Sequence, residues 1–403
     1  MVINIPFIDL QTQYERLKPQ IAAGIDRVLH HGAYVMGPEI AELESRLSDY
    51  CNVKHAITCS SGTDALLLGL MAWDVGPGDA VFTTPFTFFA TAEAIALLGA
   101  TPVFVDIDSR TFNIDPDRLE EAVQRVKQSG DLNPRGILPV NLFGLPADYR
   151  EIDRIAKEHA LFVLEDAAQS FGAKYGNQAS CSLGEISATS FFPAKPLGCY
   201  GDGGAVFTDD DALAEKILSL RIHGMGQNKY DNVRIGLNAR MDSIQAAVLL
   251  AKLEIFDDEL GKRRRLAGVY DQCLKDLVET PYIPGGMSSA WAQFSVLSDH
   301  REAMIEAIEE QGIPVQVYYR VPCHLSKAFA HLGYKPGDLP VTEEVSLRIF
   351  SLPMHPYLDF RVATKITSIL HNVLLRISGE AWRAKMSMRE TVSNAGKAGY
   401  PIP

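Results

Sequence analysis

Short apolar runs alternate with amphipathic helical stretches through about the first 250 residues, and this alternation constrains the fold more than any other feature of the chain. It predicts an α/β domain with a mostly parallel sheet. The runs predicted as strands are 55–59, 80–84, 102–106, 136–140, 161–165, 188–191 and 204–208. The stretches predicted as helices between them are 63–73, 89–98, 116–128, 148–159 and 211–220.

The pattern changes after Asp242, where a smaller α+β domain entered through a long helix is predicted. Its expected elements are an apolar helix at 243–253, a charged helix at 254–275, a Pro/Gly-rich segment at 281–286, a strand at 292–297, a helix at 301–311 and a strand at 315–319.

These patterns divide the chain into a large domain (1–245), a small C-terminal domain (246–380) and a tail (381–403). The end of the chain, 383–403, is polar and aperiodic. We expect it to be flexible or to extend over a neighbouring subunit.

Charge and composition exclude several classes of function. The net charge of -12 argues against general binding to nucleic acid or to an anionic membrane, although a local site for an anionic small molecule stays possible. No apolar run approaches the roughly 20 residues that cross a bilayer, and no signal peptide is evident, so a cytoplasmic location is expected. The six cysteines form no CxxC pair and no cluster with zinc spacing, so no metal site is predicted.

The segment Ser-Ser-Gly-Thr-Asp-Ala-Leu at 60–66 joins an apolar strand to an apolar helix. Gly62 allows close approach to the backbone, and the free N–H groups of the helix start, around Gly62 and Thr63, suit a phosphate. An ordinary helix cap is the commoner reason for such a sequence. Taken alone, the segment is a weak signal.

Two acids, Glu165 and Asp166, end the next informative strand. The carboxyl edge of an open α/β sheet is where ligands bind. A carboxylate there could keep a pyridinium nitrogen protonated, which makes the ring an electron sink. A pair of loop carboxylates without such a role is about equally consistent with this segment alone.

A lone lysine, Lys195, follows the strand at 188–191 and precedes a glycine-rich turn. A solvated surface lysine without a catalytic role is the simpler interpretation. However, its neighbours on both sides are apolar, and desolvation lowers the pKa of an amine and helps it to form a Schiff base. Ser190, five residues earlier, could add a hydroxyl to the phosphate site. The order of phosphate-binding helix start, acid at a strand end, and lysine 29 residues after Asp166 is that of a fold-type I pyridoxal-phosphate (PLP) enzyme.

With these motifs in this order, the chain resembles the DegT/DnrJ/EryC1/StrS family of sugar aminotransferases. The resemblance extends from about Ile8 to Tyr357. The matching segments are 6–10, 37–39, 61–66, 165–170, 190–204 and 238–242. Segments 191–204 and 352–357 are most similar to the WbpE-like branch, which acts on UDP-2-acetamido-2-deoxy-3-oxoglucuronate for surface polysaccharide such as lipopolysaccharide O-antigen.

The resemblance implies a PLP-dependent transferase of fold type I (aspartate aminotransferase-like), whose large domain binds PLP. It implies transfer of an amino group from L-glutamate to the keto group of a nucleotide-linked sugar. Lys195 matches the lysine that forms the Schiff base and moves the proton, and Asp166 matches the partner of the pyridine nitrogen.

The family pattern also assigns a cofactor shell. It places Gln169 near the ring oxygen O3′, and Gly62, Thr63 and Ser190 on the phosphate. Phe88 stands where an aromatic ring stacks on the cofactor; relatives often have tyrosine there, so stacking is kept and a phenol hydrogen bond is lost. Asn238 matches a residue that reaches the phosphate of the second subunit, which implies a homodimer with shared active sites.

Substrate contacts are implied for six residues, which are His223, Arg240, Tyr318, Tyr319, Arg320 and His324. The chain departs from the family here: the usual residue is proline at Arg320 and leucine at Cys323, and the WbpE-like branch has histidine at Tyr318. A cation in a loop that usually has none suggests that Arg320 binds a uronate carboxylate or a diphosphate. A solvated surface arginine is the open alternative.

Three other functions remain in view. A different substrate, a 3- or 4-keto-6-deoxy sugar on dTDP, GDP or UDP, is the nearest alternative. Some relatives are sugar dehydratases with histidine in place of the lysine, and Lys195 argues against that class. A non-catalytic or regulatory member of the same fold would not need intact cofactor residues.

Overall fold

The computed structural model describes the backbone of residues 5–395 and the side chains of residues 5–377. Its α-helices, numbered α1 to α12 in chain order, are Leu10–His31, Pro38–Cys51, Gly62–Ala72, Ala90–Leu97, Pro116–Ser129, Tyr149–His159, Asp211–Leu220, Ser243–Leu253, Phe256–Leu274, Arg301–Glu309, Pro340–Arg348 and Phe360–Ala395. Its strands, β1 to β12, are His55–Cys59, Asp79–Thr83, Thr101–Phe104, Asn133–Leu138, Phe162–Asp166, Lys174–Tyr175, Gln178–Ala179, Ile186–Ser190, Gly204–Thr208, Met287–Ser288, Phe294–Leu297 and Ile349–Leu352.

A seven-stranded sheet in the order β1-β9-β8-β5-β4-β2-β3 forms the centre of the large domain. β9 runs antiparallel to both of its neighbours, and the other neighbouring pairs are parallel. The predicted α/β class with a mostly parallel sheet is therefore confirmed. All seven predicted strands of this domain are present, with ends shifted by a few residues at most.

The register of three strands brings distant segments to one edge of the sheet. Gly204, at the start of β9, pairs with Cys59 at the end of β1 and with Ser190 at the end of β8. A Cβ on residue 204 would lie 2.4 Å from the carbonyl oxygen of Ser61, so the chains approach too closely for any other residue. The edge where β1 and β8 end is thus where α3 begins.

Helices cover the sheet and fix its edge. α3 packs on β5, β8 and β9, and α8 packs on α1 and α2. α1 and α2, which the sequence patterns did not predict, have strong end signals: Asp9 caps α1 through a bond to the Thr12 N–H, and a proline follows Gly37 at the start of α2.

The C-terminal part of the chain forms a separate apolar core around α9, α10, α12 and the antiparallel pair β11–β12. The predicted strand at 315–319 is wrong, because only a single bridge joins Gln316 to Ser351. α12 also continues to Ala395, through most of the segment that the sequence indicated as aperiodic. Residues 396–403 lie outside the described chain, and the domain limits at 245 and 380 stay predictions.

In the described residues, no helix combines the length and the apolar character that crossing a bilayer requires.

Candidate active site

Glu165 and Asp166 end β5 on opposite faces, because side chains alternate across a strand. Both carboxylates are buried, with 0% and 4% of their surface exposed. Their partners differ completely, and this decides which acid belongs to the site.

The Glu165 carboxylate is surrounded by hydrogen-bond donors from the protein. Oε1 accepts from Asn141 Nδ2 at 2.7 Å, Ser180 Oγ at 2.7 Å and the Cys181 N–H at 2.9 Å. Oε2 accepts from the Leu183 N–H at 3.0 Å and Ser187 Oγ at 2.6 Å. Burial raises the pKa of Glu165, and these bonds act against the rise. The protein itself occupies both oxygens of the Glu165 carboxylate. This carboxylate therefore has a structural role and offers no free acceptor to a ligand.

Asp166 has fewer donors and a nearby lysine. Oδ2 accepts from Thr91 Oγ1 at 2.8 Å, and Oδ1 accepts from the Ala168 N–H at 3.1 Å. Burial raises the pKa of Asp166, while the two hydrogen bonds and the charge of Lys195 lower it. A buried carboxylate that is this weakly compensated favours a further cationic partner.

Thr91 also belongs to this site, although the sequence motifs did not indicate it. It lies in the first turn of α4, and its hydroxyl is within 2.9 Å of the hydroxyl of Thr87 as well as bound to Asp166. The signal was available in the Thr-Phe-Phe-Ala-Thr segment at 87–91, where two threonines four residues apart can share one side of a helical turn. Thr87 and Thr91 orient the carboxylate that ends β5.

Lys195 lies in a tight loop after β8, and its side chain is half-buried. Its backbone N–H donates to the Phe192 carbonyl at 2.9 Å. Burial lowers the pKa of Lys195, and the negative charge of Asp166 raises it. The loop therefore holds an amine that gives up its proton more readily than a solvated lysine, beside an acid on the next strand.

The predicted phosphate residues also meet. A Cβ on residue 62 would lie 2.6 Å from the Cβ of Ser190, so Gly62 and Ser190 are in direct contact. Ser61 caps α3 by accepting from the Asp64 N–H at 3.0 Å. The first N–H groups of α3, from Gly62 and Thr63, have no partner within the helix and carry its positive end. This contact makes the sheet edge a candidate anion site.

Gln169 lies in the turn after β5 and is 5% exposed. Its Oε1 accepts from the Phe143 N–H at 2.7 Å, and its Nε2 donates to the Tyr319 hydroxyl at 3.1 Å. These two bonds connect Tyr319, from the C-terminal part of the chain, to the turn beside Asp166. Tyr318 contacts the ring of Phe7, with ring centroids 6.4 Å apart.

Phe88, His223 and Asn238 are exposed at the rim of this edge, and Arg240 is half-buried. The Ser60 N–H donates to the Ala239 carbonyl at 3.1 Å, which places the segment around 238–240 beside the start of α3. Arg240 Nε donates to Asn238 Oδ1 at 3.0 Å.

Two predicted substrate residues are not brought to this group. Arg320 is exposed, and its guanidinium lies 3.7 Å from Glu302. His324 is buried; its Nε2 is 3.2 Å from Glu343 Oε1, and its ring packs near Phe104 and Tyr334. Their roles toward a substrate stay predictions.

These residues fit PLP. The anion site matches a phosphate, the weakly compensated Asp166 matches a protonated pyridine nitrogen, and the desolvated Lys195 matches the amine that holds the cofactor. The sheet order and this arrangement define a PLP-dependent transferase of fold type I.

Comparison with known proteins gives the family. The sequence profile of the DegT/DnrJ/EryC1/StrS aminotransferase family matches residues 15–371, and the chain belongs to this family. It is therefore a PLP-dependent aminotransferase, as the resemblance implied.

The chain is 47% identical to the UDP-2-acetamido-2-deoxy-3-oxo-D-glucuronate aminotransferase of Pseudomonas aeruginosa, over 91% of this chain and 100% of that protein. Its structure is similar to that of a DegT/DnrJ/EryC1/StrS aminotransferase from Brucella abortus, with a TM-score of 0.89, 49% identity, and coverage of 91% and 99% of the two chains. It is also similar to NtdA from Bacillus subtilis with bound pyridoxamine phosphate, with a TM-score of 0.83, 30% identity, and coverage of 93% and 86%.

Other relatives carry different names. One at 44% identity, from Geobacillus stearothermophilus, is called a pleiotropic regulatory protein and covers 88% of this chain and 95% of its own length. Others are transaminases of dTDP-linked sugars or a GDP-perosamine synthase.

Proposed function

We propose that this enzyme transfers the amino group of L-glutamate to the 3-keto group of UDP-2-acetamido-2-deoxy-3-oxo-D-glucuronate. The observation that carries this proposal is the 47% identity to the Pseudomonas aeruginosa aminotransferase of that substrate, over the whole of that protein. The intact arrangement of Lys195 and Asp166 supports catalysis over a purely regulatory role.

Each residue of the site has a task in this proposal. PLP, when bound, supplies an electron sink for the charge that develops on the reacting carbon. Lys195 would move the proton between the donor Cα and C4′ of the cofactor, since its lowered pKa makes the neutral amine available. Asp166 would hold the proton on the ring nitrogen. Gly62, Thr63 and Ser190 would hold the phosphate, and Phe88 would offer an aromatic face to the ring.

A homodimer is the second part of the proposal. Large apolar side chains lie exposed close in sequence to the site residues, including Phe88 at 58%, Phe192 at 50% and Ile235 at 89%. Exposed apolar surface beside an active site favours a covering partner. A second copy of this chain, which would offer Asn238 to the phosphate, fits that role. A monomer in solution with full activity would contradict it.

The alternative substrate is a 3- or 4-keto-6-deoxy sugar on dTDP, GDP or UDP. It is favoured by the relatives that use dTDP- and GDP-linked sugars and by the unusual residues Tyr318 and Cys323. The cytoplasmic location and the part in surface polysaccharide synthesis remain predictions.

The test is a matched pair of substrates that differ only at the sugar C6. The UDP-linked 3-keto uronate and its 3-keto N-acetylglucosamine counterpart, each generated in place by oxidation of the parent sugar, are incubated with enzyme and L-glutamate. We expect amino sugar and 2-oxoglutarate in equal amounts, with kcat/KM at least about tenfold higher for the uronate, because a carboxylate paired with arginine contributes on the order of 1.4 kcal/mol or more. Equal values, or turnover only of dTDP-linked 6-deoxy sugars, would contradict the uronate assignment.

Arg320 is the candidate for binding that carboxylate, because it lies exposed directly after Tyr319 and, among the described side chains, has Glu302 at 3.7 Å as its one ionic neighbour. Arg320→Ala should raise KM for the uronate and leave KM for the neutral sugar unchanged. Arg361→Ala is the matched control, because it also removes an exposed arginine that is paired with an acid, here Asp359. Unchanged KM values in Arg320→Ala would remove Arg320 from the substrate site.

A further inference from the structure

Helix α8 contains a buried lysine that the chemistry of the site does not use. Most of the helix is apolar, yet Lys252, in its last turn, has only 1% of its surface exposed. Gln245 lies seven residues earlier and therefore on the same side of the helix, two turns away. Two polar side chains thus point in one direction from a helix that otherwise packs into the core.

Both side chains hold the segment that follows the active-site lysine. Lys252 Nζ donates to the Gly198 carbonyl at 2.6 Å, and it lies 4.2 Å from the centre of the Tyr200 ring. Gln245 accepts from the Tyr200 N–H at 2.9 Å and donates to the Tyr200 carbonyl at 3.4 Å. Helix α8 is therefore bonded to the backbone at two points within three residues.

The segment that these two side chains hold belongs to a compact loop with hydrogen bonds of its own. The Cys199 N–H donates to the Phe191 carbonyl at 2.8 Å, and the Lys195 N–H donates to the Phe192 carbonyl at 2.9 Å. A Cβ on residue 198 would lie 2.6 Å from the carbonyl oxygens of Phe192 and Pro193. Because the loop is this compact, a shift of Gly198 moves the backbone that carries Lys195.

Stability alone does not require a lysine at this place. Burial of an ammonium group has a desolvation cost that an apolar side chain of similar length avoids. Burial lowers the pKa of Lys252 to about 8, and the carboxylate of Glu259 acts in the opposite direction. Two of the groups that surround the ammonium, the Gly198 carbonyl and the Tyr200 ring, belong to the segment that follows Lys195.

We propose that Lys252 is a positioning residue that holds the loop of Lys195 through the Gly198 carbonyl, with Gln245 as the second anchor. The inference rests on the proposed role of Lys195. The two anchors set the distance and direction from which the Lys195 amine approaches the cofactor and the donor carbon, and they act without touching either.

The test compares Lys252→Met, Gln245→Leu and the unchanged enzyme, each reconstituted with PLP. Displacement of a catalytic group by about 1 Å can lower the rate on the order of a hundredfold. We expect kcat to fall about 10- to 100-fold in Lys252→Met and less in Gln245→Leu, with KM for the sugar unchanged. We also expect the pH midpoint of the visible absorbance of the bound cofactor to move in the same direction in both variants.

Tyr270→Phe is the matched control, because it removes another buried donor to a backbone carbonyl, that of Pro353 at 2.9 Å, away from the loop. It should lower the melting temperature and leave kcat and the absorbance midpoint unchanged. If Lys252→Met has the kcat and the midpoint of the unchanged enzyme, the positioning role is wrong. It is also wrong if the activity of Lys252→Met falls only in proportion to a stability loss that Tyr270→Phe shares.

Gln245→Leu decides the question if Lys252→Met does not fold, since a normal midpoint and kcat in that variant would overturn the two-point anchor. Lys195→Ala is measured in parallel. Activity in Lys195→Ala would refute the role of Lys195 itself, whereas an inactive Lys195→Ala beside a normal Lys252→Met would refute only the positioning role.

Discussion

Glu165 and Asp166 are neighbours in sequence, equally buried and chemically alike, yet they belong to different parts of the molecule. The Glu165 carboxylate meets five donors from the loops that follow β4 and β7 and from β8. The Asp166 carboxylate meets two donors and the charge of Lys195. The alternation of a strand separates a structural acid from a functional one over a single residue.

The difference shows that the number of remaining partners distinguishes the two roles better than burial does. A buried acid whose oxygens are fully occupied by the protein stabilises the fold. A buried acid that keeps capacity for a cation is prepared for a ligand. The predictions below test each side of this comparison.

The largest effect is expected from Lys195→Ala, which removes the cationic neighbour of Asp166. Loss of a general base costs about 10²- to 10⁴-fold in rate, and loss of the covalent attachment adds to this. Steady-state formation of 2-oxoglutarate is the measurement. The variant should still bind PLP through the phosphate site. Measurable turnover at the rate of the unchanged enzyme would contradict the role of Lys195.

Asp166→Asn should lower kcat on the order of a hundredfold, because a neutral amide does not hold the proton on the ring nitrogen and the electron sink weakens. The melting temperature should change little, since the Ala168 N–H can still bond to the amide oxygen and the Thr91 hydroxyl can accept from the amide nitrogen. Parallel kinetics and thermal unfolding check both statements. A stable variant with normal kcat would refute the functional assignment.

Glu165→Gln should show the opposite pattern, with a loss of stability and a nearly unchanged kcat. The amide keeps one accepting oxygen instead of two, so either the Cys181 N–H or the Leu183 N–H loses its acceptor, and an unpaired buried donor costs about 1–3 kcal/mol of unfolding free energy. Denaturant unfolding measures this loss. The kcat per folded molecule should stay within about twofold, a roughly 0.4 kcal/mol change at most. A selective fall in kcat without loss of stability would break the comparison.

Thr91→Val tests the orientation of Asp166 without a change in charge. Loss of a hydrogen bond to a charged group costs about 1.5 kcal/mol, which corresponds to about a tenfold fall in kcat. Thr111→Val, which removes a partly buried hydroxyl bound to the carboxylate of Asp108, is the control. Equal kinetics in Thr91→Val and Thr111→Val would show that Asp166 needs no such support.

The smallest expected effect is a shift in the pH dependence of cofactor incorporation. The neutral Lys195 amine reacts with PLP, so the rate of cofactor incorporation rises as the pH passes the pKa of Lys195. The charge of Asp166 raises that pKa. Removal of the charge in Asp166→Asn should therefore move the midpoint of the rate profile to lower pH. A midpoint that stays in place or moves to higher pH would show that the two groups do not interact.

Much of this architecture follows from local patterns. The strands of the large sheet and the segments at 60–66, 163–170 and 189–205 are recognisable because each motif lies where a strand ends. The choice between Glu165 and Asp166 came from the family resemblance, and the hydrogen bonds of the two carboxylates give it a physical basis. Contacts such as those of Thr91 with Asp166 join segments 75 residues apart. No local pattern predicts a pairing of this kind.

The misjudged elements have similar causes. The β-branched and aromatic residues at 315–319 favour a strand, but the chain turns after the single bridge at Gln316. In the sequence, Lys252 looks like an ordinary polar position of a helix. The fold brings it against Gly198, which is 54 residues away in sequence. These features depend on tertiary contacts, which composition and periodicity do not encode.

The most direct test of the account is to locate the lysine that carries the cofactor. The enzyme is reconstituted with PLP and reduced with borohydride, with and without prior L-glutamate, and its peptides are analysed by mass spectrometry. The account predicts a pyridoxyl group on Lys195 without glutamate, and its disappearance, together with one equivalent of 2-oxoglutarate, after glutamate. Attachment to another lysine, or labelling of Lys195 that glutamate does not prevent, would contradict it.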